Sequence, residues 1–129
     1  VTALIVISLI ATTISLLTFQ KPHWRDAVAL IQNQASPADA VILNPPWMST
    51  TFNYYLQQNT ATNTPNMPQP ENIPLSQNYQ TAWLITNTKY ESWQDPDFKV
   101  RNWLTAHYEP NSPLHFGELE ILRFNKLSP

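Results

Sequence analysis

Apolar residues recur at helical spacing through Trp24, Val28, Ile31 and Ala35, and Ser36-Pro37 ends the pattern. A continuous apolar run from Ala40 to Leu43 follows and is stopped by Asn44-Pro45-Pro46. Together they predict an amphipathic helix that feeds through a short turn into a buried strand. Phe52, Tyr55 and Leu56 share one face of a second, shorter helix, which Ser49, Thr50 or Thr51 can cap. Thr81 to Thr86 is a second β-rich apolar run and predicts another buried strand. Asn87 to Gln94 reads as a loop, and Asp95-Pro96-Asp97 as a helix start with a cap and a first-turn proline. Val100, Trp103 and Leu104, with Phe98, face inward from that helix. His107 to Glu109 and Leu114 to Phe124 predict a closing hairpin around Asn111-Ser112-Pro113, whose second strand alternates at Leu119, Ile121 and Arg123.

Continuous apolar strands belong to a sheet covered on both faces. The order of elements predicts an α/β fold: a layered, mostly parallel, Rossmann-like small sheet with helices packed on it and an antiparallel C-terminal edge hairpin. Val41 to Leu43 and Trp83 to Thr86 are expected side by side. Residues 57–80 are rich in Asn, Thr, Gln and Pro, with few large apolar groups to offset the entropy of ordering. A long flexible surface loop is expected there, with a short extended piece at Ile73 to Leu75.

Ahead of these elements, Val1 to Phe19 carries no charge. As a helix it would span about 28 Å, close to the roughly 30 Å of a bilayer's hydrocarbon core. Residues 1–20 are therefore expected to form a transmembrane helix, the end of a longer membrane domain, and residues 21–129 a soluble domain. Lys21 and Arg25 would sit at headgroup level, where the positive-inside rule points this side toward the cytoplasm, although two basic residues decide little.

Composition narrows the chemistry. Charged residues make up 12% of the 129 and the net charge is -2, so no basic face offers itself to nucleic acid. With no cysteine, disulfides, thiolate metal sites and a cysteine nucleophile are excluded. One glycine against twelve prolines leaves no phosphate-cradling loop or dinucleotide fingerprint. No cofactor is expected in this chain.

The remaining candidates are few. His23, His107 and His115 lack metal-ligand spacing, although the last two could approach across the hairpin, and no metal site is expected. Asp95 with Asp97, and Glu118 with Glu120, read as a helix start and as one face of an edge strand before they read as acid and base pairs. No serine lies in an elbow motif, so no catalytic residue is assigned. Trp47, Phe52, Tyr54 and Tyr55 follow the first strand's C-terminal end, where open α/β sheets bind ligands. They are the candidates for contact with a ligand or a neighbouring domain, with core packing as the competing role.

His23-Trp24-Arg25-Asp26-Ala27-Val28, Asp39-Ala40-Val41-Ile42, Asn44-Pro45-Pro46, Phe52-Asn53-Tyr54-Tyr55 and Trp83-Leu84-Ile85 occur in an order that can be compared with known proteins. The chain resembles the C-terminal extracytoplasmic domain of bacterial polytopic membrane glycosyltransferases of the protein mannosyltransferase and aminoarabinose transferase superfamily. The resemblance covers nearly the whole chain through degenerate motifs. It implies a non-catalytic domain on the periplasmic face of the inner membrane, whose parent enzyme takes a sugar from a polyprenyl-phosphate carrier. Its partners would be its own upstream transmembrane domain, the lipid bilayer, and the carrier-linked sugar or acceptor. The family's catalytic carboxylates lie in loops between earlier transmembrane helices, and no position here matches them. The Asn/Thr/Pro-rich stretch at 57–80 departs from the family pattern. A single-pass anchored ligand-binding or sensor domain is the alternative.

Overall fold

The computed structural model describes residues 2–7, 10, 22–58 and 79–128. Helix α1 (Trp24–Gln34) buries Ala27, Val28 and Ile31; of the stripe marked out by apolar spacing, Val28, Ile31 and Ala35 are buried and Trp24 packs partly against them. It ends in a turn closed by side chains: Ser36 donates from its backbone N–H to Asp39 Oδ2 at 3.1 Å and from Oγ to Oδ1 at 2.9 Å. Strand β1 (Ala40–Asn44) follows and is buried throughout. After a 3-10 turn at Pro46–Met48, α2 (Ser49–Gln58) buries Phe52, and Tyr55 and Leu56 pack partly against the same core. Strand β2 (Thr81–Asn87), the helical turn α3 (Glu91–Gln94), helix α4 (Lys99–His107), and strands β3 (Tyr108–Pro110), β4 (Leu114–Phe116) and β5 (Leu119–Lys126) complete the chain.

β1 and β2 lie side by side and parallel, with Val41 opposite Trp83 and Leu43 opposite Ile85. The rest of the sheet departs from the mostly parallel, Rossmann-like expectation. Its order is β1-β2-β5-β3 with β4 also on β5, and every pairing of β5 is antiparallel. The reason lies in β5, which was expected as an edge strand alternating at Leu119, Ile121 and Arg123. Leu122 and Phe124 are buried as well as Leu119 and Ile121, so both faces are covered and β5 runs inside the sheet. A strand entered through a tight hairpin can only come back antiparallel.

That hairpin turns at Gly117-Glu118 rather than at Asn111-Ser112-Pro113. Phe116 pairs with Leu119, and Gly117 takes φ 63°, a conformation that glycine adopts without a Cβ clash. Asn111 to Pro113 instead interrupt the edge. Pro110 pairs with Phe124 and Leu114 with Ile121, so three edge residues oppose two on β5. This is a bulge, and Pro113 has no N–H with which to continue the ladder.

The start of α4 is also later than expected. Asp95 caps it, accepting the backbone N–H groups of Lys99 at 2.9 Å and Val100 at 3.2 Å, while Phe98 sits at φ 49° and is partly exposed instead of facing inward. Pro96 therefore lies in the turn before the helix. The expected loop at Asn87 to Gln94 contains α3.

Two apolar layers flank the sheet. Val41, Leu43, Trp83, Ile85, Leu119 and Ile121 face α1 and α2. Ala40, Ile42, Ala82, Leu84, Leu122 and Phe124 face Leu104 of α4. Each large apolar side chain taken out of water contributes roughly 1.5–3 kcal/mol, against roughly 0–1 kcal/mol for an exposed ion pair such as Lys99–Asp97 at 3.8 Å. The two layers hold the fold.

α1 enters at a defined end of the sheet. The His23 N–H donates to the Phe116 carbonyl at 3.1 Å, Phe116 pairs with Leu119, and Leu119 pairs with Asn87 at the close of β2. The chain thus joins the domain where β1 and β2 finish. Among the described residues no helix is long and apolar enough to cross a membrane. Residues 2–7 are helical; apart from these and residue 10, the transmembrane expectation for 1–20 lies outside the described residues. The loop expected at 57–80 lies outside them from 59 to 78, as does the extended piece at Ile73 to Leu75.

Candidate functional site

The sheet end where β1 and β2 finish carries a row of polar residues on the α4 side. Asn44, Thr86 and Glu120 are cross-strand neighbours, and the segment from α3 to α4 closes over them. Asp95 accepts a hydrogen bond from Asn44 Nδ2 at 3.2 Å besides the two backbone N–H groups that it caps. Arg101 donates to both carboxylates that flank it: from Nε to Glu91 Oε1 at 3.2 Å, from Nη2 to Glu91 Oε2 at 2.8 Å, and from Nη2 to Glu120 Oε1 at 2.6 Å.

Only 5% of the Glu91 side chain and 28% of the Arg101 side chain reach solvent. Burial is the largest single influence on the Arg101 pKa and works to lower it. The hydrogen bonds and charges of Glu91 and Glu120 together outweigh burial, and the net shift is upward. The guanidinium stays charged, and its Nε and Nη2 donors are engaged by carboxylates. His115 Nε2 stands 3.7 Å from Glu120 Oε2 at the rim. Thr86 Oγ1 is buried in the middle of the row without a hydrogen-bond partner. The network is a brace between α3, α4 and β5, with no hydroxyl or amine held next to a base.

The aromatic candidates separate into two pairs and a core residue. Trp47 is 54% exposed and meets Tyr90 edge-on at 5.8 Å. Tyr54, 59% exposed, meets the half-buried Tyr55 edge-on at 5.1 Å. Those two tyrosines, with Arg25 and Gln58, line a groove of about 270 Å³. Phe52 is fully buried between α2 and the sheet, so it packs the core and presents no surface to a ligand. Trp93, not singled out by sequence, is 76% exposed, the most of any aromatic among the described residues, and Lys89 Nζ lies 5.5 Å from the Tyr90 ring centroid.

Other candidates are not brought together. His107 stacks on Trp103 at 4.3 Å, with Nδ1 2.8 Å from the Trp103 carbonyl, whereas His115 lies on β4 opposite Glu120. Asp95 is buried as a cap and Asp97 is exposed. Glu118 offers its carbonyl to Thr88, while the Glu120 side chain binds Arg101. Among the described residues no group of three His, Cys, Asp or Glu side chains could hold a metal ion.

On the opposite face of the sheet, sequence reasoning missed a cavity of about 510 Å³ whose lining includes Gln34, Trp83, Asn111, Ser112 and Arg123. It opens where the edge strand bulges away from β5. The available signal was Pro113 after Asn111-Ser112, a proline that cannot donate to the ladder just before Leu114.

These parts define a mixed α/β domain with a five-stranded, mostly antiparallel sheet, a braced polar end and an open cavity beside Arg123. No protein family, curated protein or solved structure matches the chain.

Proposed function

We propose that this chain is a non-catalytic extracytoplasmic domain of a bacterial inner-membrane glycosyltransferase that uses a polyprenyl-phosphate-linked sugar. It sits over the membrane face of its parent enzyme and shapes access of carrier or acceptor. The carrying observation is the set of aromatics around the sheet end where α1 enters. Trp47 and Tyr90 follow the ends of β1 and β2, and Trp93 lies three residues beyond Tyr90. Arg25 stands in the first turn of α1 and Lys89 beside Tyr90. Aromatic rings interleaved with Arg and Lys are the composition of a membrane interface, where each ring keeps one edge wet. The apolar stretch Val1 to Phe19 leads directly into this end.

Two measurements test the reading. On vesicles bearing brominated lipids, the full chain should lose Trp47 and Trp93 fluorescence while Trp83, in the core, stays unquenched. Equal protection of all three would remove the membrane-facing assignment. In the second, the chain alone should transfer no sugar from a polyprenyl-phosphate donor, whereas Tyr54→Ala with Tyr55→Ala in the parent enzyme should weaken substrate binding or docking of the domain. Turnover by the isolated chain would overturn the non-catalytic role.

The Arg123 cavity favours a second reading, a single-pass anchored domain that binds a ligand of its own. An upstream gene region without further hydrophobic spans, together with saturable ligand binding by this chain, would select it.

A further inference from the structure

Arg123 is a cation without a carboxylate partner among the described residues. No ion pair includes it among the described residues, its Nε–H is buried without a hydrogen-bond partner, and its guanidinium carbon lies 5.3 Å from the Trp83 ring centroid. An aromatic face offsets part of a cation's desolvation but accepts no directed hydrogen bond from the fork. A partly buried guanidinium with an idle donor is costly unless something else supplies oxygen.

The surrounding chain keeps room for that oxygen. The bulge at Asn111 to Pro113 interrupts the regular pairing of the edge with β5 beside Arg123, and the cavity of about 510 Å³ is lined by both, within the size range of small-molecule sites. The Asn111 backbone N–H, donating to the Arg123 carbonyl at 2.8 Å, and its side-chain Oδ1, accepting from Asn125 Nδ2 at 3.0 Å, fix the loop. Asn111, Ser112 and Gln34 add amide and hydroxyl side chains to the lining. The lining thus combines a fork-shaped cation with amide and hydroxyl groups.

We infer that this cavity binds a small water-soluble organic anion of about sugar size, its carboxylate or phosphate held by Arg123 and its hydroxyl groups by Asn111, Ser112 and Gln34. A planar guanidinium matches such oxyanions with paired hydrogen bonds, which a lysine cannot reproduce. The soluble source is chosen over a lipid headgroup by position. Gln34 ends α1, so the cavity lies toward the opposite end of the sheet from the one where the apolar stretch joins the domain.

The test is titration calorimetry on the full chain in nonionic detergent, with glucuronate and inorganic phosphate as probes, glucose as the uncharged control, and phosphatidylglycerol vesicles as the lipid arm. Saturable binding of glucuronate or phosphate, no binding of glucose, and at least about tenfold weaker binding by Arg123→Lys are expected. Ser112→Ala, on the exposed loop, should weaken glucuronate by roughly fivefold, the worth of about one hydrogen bond. It carries the test if Arg123→Lys fails to fold. Absence of saturable binding by either soluble probe, or unchanged affinity in whichever variants fold, overturns the inference. Binding to the vesicles alone would overturn the soluble source.

Discussion

Arg101 and Arg123 put the same side chain to opposite uses on the two faces of one sheet. Arg101 reaches the polar row on the α4 side and finds two carboxylates within 3.2 Å. Arg123, on the α1 side, has an aromatic ring, an idle Nε–H and an open cavity. A guanidinium clamped by two carboxylates through Nε and Nη2 is part of the scaffold, whereas one with an idle buried Nε–H beside a cavity is available to a ligand. Charge alone does not separate the two; the partners do.

The comparison assumes that both faces are equally necessary to the fold, and the largest expected effect checks this. Val41→Asp on the α1 side and Leu84→Asp on the α4 side should each abolish cooperative unfolding followed by circular dichroism, because each buries an unpaired charge. A folded product from either would show that its face is dispensable.

Next in size is the contrast between the arginines themselves. Arg101→Met leaves the buried Glu91 without its partner and should cost on the order of 3 kcal/mol in urea unfolding. Arg123→Met removes no carboxylate partner and should shift stability by less than about 1 kcal/mol in either direction. Equal losses would erase the distinction between brace and binding group.

Gly117→Ala sharpens the placement of the cavity. It forces a Cβ onto φ 63° and should cost about 1 kcal/mol without changing the register of the bulge opposite Arg123. Amide exchange across β4 and β5 reads both.

The smallest effect belongs to the α4 face. Burial raises the Tyr108 pKa, with the neighbouring Tyr79 adding to it. A folded value above the unfolded one means that this stabilisation is complete below about pH 10 and is lost as pH rises through the folded value. Tyr108→Phe should therefore flatten the alkaline limb of thermal stability, while losing the hydrogen bond to the Tyr79 carbonyl.

Which parts of the molecule were legible in the sequence follows from distance along the chain. α1, its Ser36 stop and β1 are local patterns, readable from Trp24 to Leu43, and the parallel β1–β2 pair follows from two apolar runs. The interior position of β5 was not readable, because only burial of Leu122 and Phe124 against α4 distinguishes it from an edge. Gly117, the chain's single glycine, was a local signal for the hairpin turn that the proline at 113 obscured. The polar brace joins residues as far apart as Asn44 and Asp95, and Arg101 to Glu91 and Glu120. No spacing rule reaches across such separations. Trp47, Phe52, Tyr54 and Tyr55 were legible only as one aromatic cluster after β1; their division into exposed Trp47 and Tyr54, half-buried Tyr55 and core Phe52 was not.

The contrast between the two arginines is tested most directly by nitrogen-15 NMR of the Nε–H groups of the full chain during a glucuronate titration. The account predicts that the Arg123 Nε–H moves saturably while the Arg101 Nε–H, held by Glu91, does not. Movement of Arg101, or no movement of Arg123, would contradict it.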